Sequence, residues 1–319
     1  MTDPDSTFDS TADLLGRITA QLGVQLSQMR PTGRPDATGE HATREHAAPG
    51  HATLGHPDER RRLMSATAPT LIAVGHGSRD PRARATLALL LDRVRELRPG
   101  LDVRLAHVEL NAPLLTDALA ALTEEGGRDA VLVPLLFGRG YHVKHDLPAA
   151  AATAPAVRTR IAAPLGPHPL LVEALADRLA EAGWTPQDSA SRSAAVVLAA
   201  AGSRDPESLA DIRRTAALLG ERLGGVPVVP AYASAATPTV PDALRLLAAR
   251  GRHRIAVASC FTAPGLFAGR TAAHAPWIAA APLGAHPALA RLVLHRYDRS
   301  LATPAPTPTP ASARELASA

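Results

Sequence analysis

Between residues 70 and 300 short apolar runs alternate with amphipathic stretches. TLIAVG at 70–75 has the length and β-branched content of a buried strand. Leu87, Leu90, Leu91, Val94 and Leu97 then recur at helical spacing and predict a helix over 82–98 with one apolar face. VRLAHV at 103–108 predicts the next strand, a helix starts near Pro113, and AVLVPLL at 130–136 predicts a third strand. Residues 157–162 read as a fourth strand and 169–182 as a closing helix. Strand and helix in strict alternation predict an α/β, doubly wound parallel sheet with helices on both faces.

The pattern then starts again. HGSRDP at 76–81 recurs as AGSRDP at 201–206, an offset of 125 that also carries Pro113 to Pro238, Asp117 to Asp242 and Gly140 to Gly265. PLGPHP at 164–169 returns as PLGAHP at 282–287, by which point the second copy is seven residues shorter. These repeats predict two tandem duplicated domains, 68–183 and 193–300, joined by a linker, TPQDSASRS, at 185–193. Residues 1–66 show at most one short amphipathic helix, at 11–29, and otherwise read as a disordered, His-containing tail; 301–319 read as a second disordered tail.

Composition changes this picture little. Aromatic residues make up only 3%, so the core must be built from Ala, Val and Leu, and Lys144 is the only lysine beside the arginines. A formal net charge of +4 without basic clusters interleaved with aromatics argues against nucleic-acid binding and is compatible with an acidic small molecule. The single cysteine, Cys260, allows no intramolecular disulfide. No apolar run is long enough to span a bilayer, and the acidic start MTDPDSTFDST is unlike a signal peptide, so the expected location is the cytoplasm, with no membrane partner.

Open parallel sheets bind ligands at the carboxyl ends of their strands. In the first half His76 follows the first strand, Glu109 the second and His142 the third, 33 residues apart each time, so all three are expected on one rim. Two imidazoles and a carboxylate form a common ligand set for first-row metals, and neutral imidazole also serves as a base. The duplication supplies an internal control. His76 becomes Ala201, Glu109 becomes Ser234 and His142 becomes Phe267, whereas the Gly-Ser-Arg-Asp-Pro frame persists. Joint loss in one copy marks these three as functional, and persistence marks Asp80 or Ser78 as the cap of the following helix, with Pro81 in its first turn. Gly75, Gly77, Gly138 and Gly140 fit either a close ligand approach or plain turns. Arg79, Arg82, Arg139 and Lys144 lie near the same rim, where Arg79, Arg139 and Lys144 are candidates to bind substrate carboxylates; solvated surface charges are the alternative. His41, His46, His51 and His56, five residues apart in the N-terminal segment, suit loose metal binding or are a product of repeat slippage.

The motifs GHGSRDPRA at 75–83, VELNAPLLTDAL at 108–119 and PLLFGRGYHVKHDLP at 134–148 resemble the sirohydrochlorin chelatase family of class II chelatases, which includes cobalt-inserting enzymes of cobalamin synthesis. The resemblance spans about 70–300 and implies a chelatase-like fold, two similar α/β domains facing a cleft. It places His76, Glu109 and His142 at the metal site and departs at all three positions of the second copy, which rules out a second equivalent site. It implies a lyase that inserts Co²⁺ or Fe²⁺, with Ni²⁺ also compatible, into a tetrapyrrole. The ion is substrate, no further cofactor is expected, and a monomer is plausible because both halves share a chain. Two other classes compete. A non-catalytic metal or tetrapyrrole carrier would use the same ligands without turnover. A serine hydrolase is disfavoured because the nucleophile elbow G-x-S-x-G is absent: Asp80 stands two residues after Ser78.

Overall fold

The computed structural model describes residues 68–303. The amphipathic stretch at 11–29, the four spaced histidines and the tail from 304 lie outside the described residues. The first half runs β1 (Thr70–Gly75), α1 (Pro81–Leu97), β2 (Val103–His107), α2 (Leu115–Glu124), β3 (Asp129–Pro134), a π-helical turn (His142–Asp146), α3 (Leu147–Ala152), β4 (Arg158–Ile161) and α4 (Pro169–Glu181). The short helix α5 (Pro186–Ala190) joins it to β5 (Ala194–Ala200), α6 (Pro206–Arg222), β6 (Val228–Tyr232), α7 (Val240–Ala249), β7 (Arg254–Ser259), α8 (Leu266–Ala272), β8 (Ile278–Ala279) and α9 (Pro287–Ala302). Each half is a four-stranded parallel sheet with the same strand order, β2-β1-β3-β4 and β6-β5-β7-β8. No helix among the described residues is long and apolar enough to cross a membrane.

Both central strands are buried along their whole length, which is why they read as unbroken apolar runs. Alternate residues serve different layers. Leu71 and Ala73 of β1 join Val196 and Leu198 of β5 in one core, to which α1, α4, α6 and α9 also contribute. Ile72 and Val74 face outward onto Leu115 and Leu119 of α2, and Val197 and Ala199 face Val240 and Leu247 of α7. The two halves therefore share their inner helical layer and lie in one compact unit. Leu97, expected on the buried face of α1, is instead 51% exposed, because it is the last residue of that helix and lies beyond the core.

The segment expected to be a plain linker is ordered. Thr185 caps α5 in a reciprocal pair with Asp188, whose buried carboxylate also accepts from Arg254 Nη2 at 2.7 Å. The length difference between the copies falls between His142 and β4, where the first half carries α3.

The recurring PLG-x-HP motif does the same work twice. His168 Nδ1 accepts from Leu170 N–H at the start of α4, and His286 Nδ1 accepts from Ala288 N–H at the start of α9. Across the pseudo-twofold axis, Arg178 donates to Leu283 O while Arg296 donates to Leu165 O. Burial, with Arg296 and His295 nearby, lowers the His168 pKa from 6.5 to about 4. The unfolded chain thus takes up a proton that the folded chain refuses. Stability from this group is intact above about pH 6.5 and is lost as pH falls towards 4. The melting temperature should drop on acidification through this window, and His168→Asn, which keeps an acceptor at the cap, should flatten the drop. Equal pH slopes for the two proteins would refute this account.

Candidate active site

The strand ladder places the expected residues. Gly75 pairs with His107 at the end of β1, and one step further Val108 N–H donates to Gly75 O and Glu109 N–H to His76 O. His76 and Glu109 are thereby neighbours on adjacent strand ends, with Nδ1 and Oε1 3.4 Å apart. Gly77 makes this approach possible. Its φ is +109°, and a Cβ there would lie 1.9 Å from Glu109 O. The second half repeats this backbone without its ligands: Ser234 N–H donates to Ala201 O, and a Cβ on Gly202 (φ +97°) would lie 1.8 Å from Ser234 O. Leu110 and its counterpart Ala235 both have positive φ, 66° and 56°. The strained turn survives where His76 and Glu109 are replaced, so it belongs to the loop rather than to those side chains.

The third residue arrives from the π-helical turn, a device common at functional sites. The His142 ring meets His76 edge-on with centroids 4.6 Å apart. Its Nδ1 lies 2.5 Å from Asp146 Oδ2, one turn along. The structure thus brings His76, Glu109 and His142 together on one rim. It adds two residues that the sequence reading missed. Asp146 holds the His142 ring, and Asn111 Oδ1 accepts from Ser78 N–H at 2.7 Å, tying the Glu109 loop to the His76 loop. The signal for both was available, since the second copy has Ala236 and Thr271 in their places.

An open cleft of about 440 Å³ adjoins the cluster, lined by Glu109, Thr116, His142, Asp146 and Ala150 among others. Burial, and then the neighbouring His142, depress the His76 pKa below 6.5 against the pull of Glu109, so this imidazole is neutral at pH 7. Glu109 and Asp146 give the group a negative field suited to a divalent cation. Among the described residues no three His, Cys, Asp or Glu side chains already stand in a metal-binding arrangement. The donors are gathered at an open rim rather than closed into a cage.

The glycines and basic residues have a different use from that expected. A Cβ on Gly138 would lie 2.8 Å from Ser208 Oγ, and one on Gly140 would lie 3.4 Å from Ser203 Oγ, both in the second half. Their smallness serves contact between halves. Arg139 and Lys144, candidates for substrate carboxylates, are paired within the protein. Arg139 donates from its backbone N, Nε and Nη2 to Asp211, and Lys144 Nζ lies 2.7 Å from Asp205 and 2.6 Å from Glu207. Their positive charge is neutralised by second-half carboxylates and clamps one seam. Arg79 is exposed and makes no ion pair among the described residues. Of Ser78 and Asp80, Asp80 is the cap: Arg82 N–H donates to Asp80 Oδ1, while Ser78 Oγ accepts from Asp80 N–H.

A CbiX family model matches residues 70–182 and 195–300. The chain belongs to the CbiX family. Both halves are CbiX repeats, and the candidate ligands sit in the first. Relatives include a sirohydrochlorin ferrochelatase of Bacillus subtilis, 29% identical over 176 residues, covering 54% of this chain and 66% of that protein. A sirohydrochlorin cobaltochelatase of Priestia megaterium is 24% identical over 205 residues, covering 63% of this chain and 66% of that protein. The chain thus spans just under two thirds of the length of each. Among solved structures, SirB from Bacillus subtilis with Fe³⁺ matches with a TM-score of 0.59 at 24% identity, over 73% of this chain and 96% of that one. CbiX described as the terminal enzyme of sirohaem biosynthesis in denitrifying bacteria matches with a TM-score of 0.54 at 22% identity, over 72% and 99%. At such identities these structures establish the fold.

Two stability predictions follow from the CbiX repeat geometry. Gly202→Ala, in the half without ligands, should cost on the order of 2–4 kcal/mol in chemical denaturation, because backbone must move to admit the methyl group. Arg139→Ala removes the two guanidinium donors to the buried Asp211 carboxylate and leaves only the backbone N–H, and should cost about 2 kcal/mol. A substrate-binding Arg139 would instead leave the denaturation midpoint unchanged.

Proposed function

We propose that this CbiX-family chain is a sirohydrochlorin chelatase that inserts Co²⁺ or Fe²⁺ into the macrocycle at His76, Glu109 and His142, with no cofactor beyond the substrate ion. The observation that carries this reading is the convergence of two imidazoles and two carboxylates beside an open cleft in one repeat, with the ligands absent from the other. Names of both iron- and cobalt-specific enzymes occur among the relatives, so the pathway, sirohaem or cobalamin, turns on the preferred ion.

Insertion exchanges two pyrrole N–H protons for one divalent ion and moves no electrons. Asp146 accepts from the His142 Nδ1–H and leaves the Nε2 lone pair free to take a pyrrole proton. His76, neutral at pH 7, offers a second lone pair to proton or metal. Glu109 adds charge that holds the cation while the macrocycle displaces its water. Few donors, no thiolate and an open rim let the metallated product leave.

Anaerobic absorbance spectroscopy of sirohydrochlorin with Co²⁺ or Fe²⁺ tests this. The wild type should accelerate insertion, and His142→Ala should lose roughly 100-fold or more of that rate. Asp146→Asn, which presents an amide to the ring, should lower kcat by about tenfold and leave the KM for tetrapyrrole unchanged. No acceleration with either ion would favour a carrier.

A further inference from the structure

The open cleft beside His142 lies on the side of the first repeat that faces away from the shared core. Its walls are α2 and α3, which cover the outer face of the sheet through Leu115, Leu119 and Leu147. Every residue lining it belongs to the first repeat, and none comes from the loops that meet the second half. Small side chains, Thr116 on α2 and Ala149 and Ala150 on α3, keep it open. Glu109, His142 and Asp146 line it at the rim. Two of these also touch His76, which does not itself line the cleft. Glu109 Oε1 lies 3.4 Å from His76 Nδ1, and the His142 and His76 ring centroids are 4.6 Å apart. The cleft therefore opens onto the donor set from behind.

Charge and size both select what can pass. The lining holds two carboxylates and no Lys or Arg. Arg139 and Lys144 are held by second-half carboxylates. Asp117 Oδ2 accepts from Leu114 N–H and caps the start of α2, whose amides would otherwise turn a positive potential on a cation nearby. The cleft volume is about 440 Å³. A divalent ion with a full octahedral water shell occupies about 180 Å³, at roughly 30 Å³ per water, and fits hydrated. A polycarboxylated tetrapyrrole is several times larger than that ion and does not fit. The second repeat lacks this lining: Pro241 stands for Thr116, Phe267 for His142 and the buried Thr271 for Asp146.

We propose that this outer cleft is the entry route of the substrate cation, a hydrated divalent ion, which Glu109 and Asp146 draw in before it reaches His76 and His142. This rests on the chelatase reading and gives the two substrates separate approaches. A flat macrocycle lying over the donors shuts out an ion that arrives from its own side. An ion arriving between α2 and α3 reaches the donors with the macrocycle already in place. Carboxylates lining a low-dielectric cleft raise the local concentration of a cation and speed its arrival.

The test uses the full-length protein and metal-free sirohydrochlorin, with insertion followed by absorbance at limiting Co²⁺. Thr116→Lys puts a cation in the cleft and should slow insertion about tenfold at low ionic strength, an effect that shrinks in salt. Thr116→Glu should speed it. Ala149→Trp narrows the cleft and should slow insertion at any salt concentration. Pro241→Lys, the same charge at the equivalent position of the second repeat, should leave the rate at the wild-type value. Sirohydrochlorin affinity, titrated without metal, should be the same in all four variants, and excess sirohydrochlorin should not inhibit the wild type. Co²⁺ association with the protein alone, counted as the part that His76→Ala abolishes, should follow the same order. Thr116 and Ala149 are both exposed, so the variants should fold, and melting curves check this. If Thr116→Lys and Ala149→Trp insert metal at the wild-type rate, or lose sirohydrochlorin affinity instead of metal uptake, the entry route is refuted and the chelatase reading stands. If the wild type inserts no metal but Co²⁺ association still follows the variants, the route stands on a carrier.

Discussion

Everything in this protein depends on a core that neither half can close alone. The inner face of each sheet carries alternate residues, Leu71 and Ala73 on one and Val196 and Leu198 on the other, into a common layer of helices. Hydrophobic burial of that layer is the main force holding the halves in register. The reciprocal donations of Arg178 to Leu283 O and Arg296 to Leu165 O then fix the pairing directionally. With the halves fixed, the loop after the third strand of each repeat reaches the loop after the first strand of the other, and the candidate site draws His142 from one of those meetings and His76 from the other.

Within that frame the chemistry rests on small differences of polarity. The backbone link from Glu109 N–H to His76 O is repeated by Ser234 and Ala201 in the second half, so the scaffold is indifferent to which side chains it carries. The His76, Glu109 and His142 side chains, the His142–Asp146 contact and the π-helical turn distinguish the first repeat from the second. Burial favours the neutral form of His76, the form of imidazole that can accept a proton or bind a metal.

Much of this was legible in the sequence. β1 and its duplicate are continuous apolar runs with turn signals, so their positions and the parallel architecture follow from pattern alone. His76, Glu109 and His142 were legible because the second copy acts as a control, and they meet in space because each follows a parallel strand. Other features depend on partners far apart in the chain. Arg139 and Lys144 look like free cations until Asp211, Asp205 and Glu207, some 60 to 70 residues away, are seen beside them. Asp146 acquires its role from a local π-helical turn, which hydrophobic periodicity does not encode. The 185–193 segment looks like a polar linker because the carboxylate that orders it, Asp188, finds its arginine on β7.

The one-sided clamp carries a consequence about symmetry. In a dimer of identical short chains every substitution appears at both seams, so a favourable cation on one loop is always accompanied by the same cation on the other. Here Arg139 and Lys144 face Asp211, Asp205 and Glu207, whereas the equivalent positions of the other seam hold Pro264 and Gly269 on one side and Thr86, Asp80 and Arg82 on the other. Such an arrangement is accessible only after the two copies are joined in one polypeptide. Fusion therefore does more than keep two halves together: it frees the two seams to differ, one held by the Arg139 and Lys144 ion pairs and the other without that clamp.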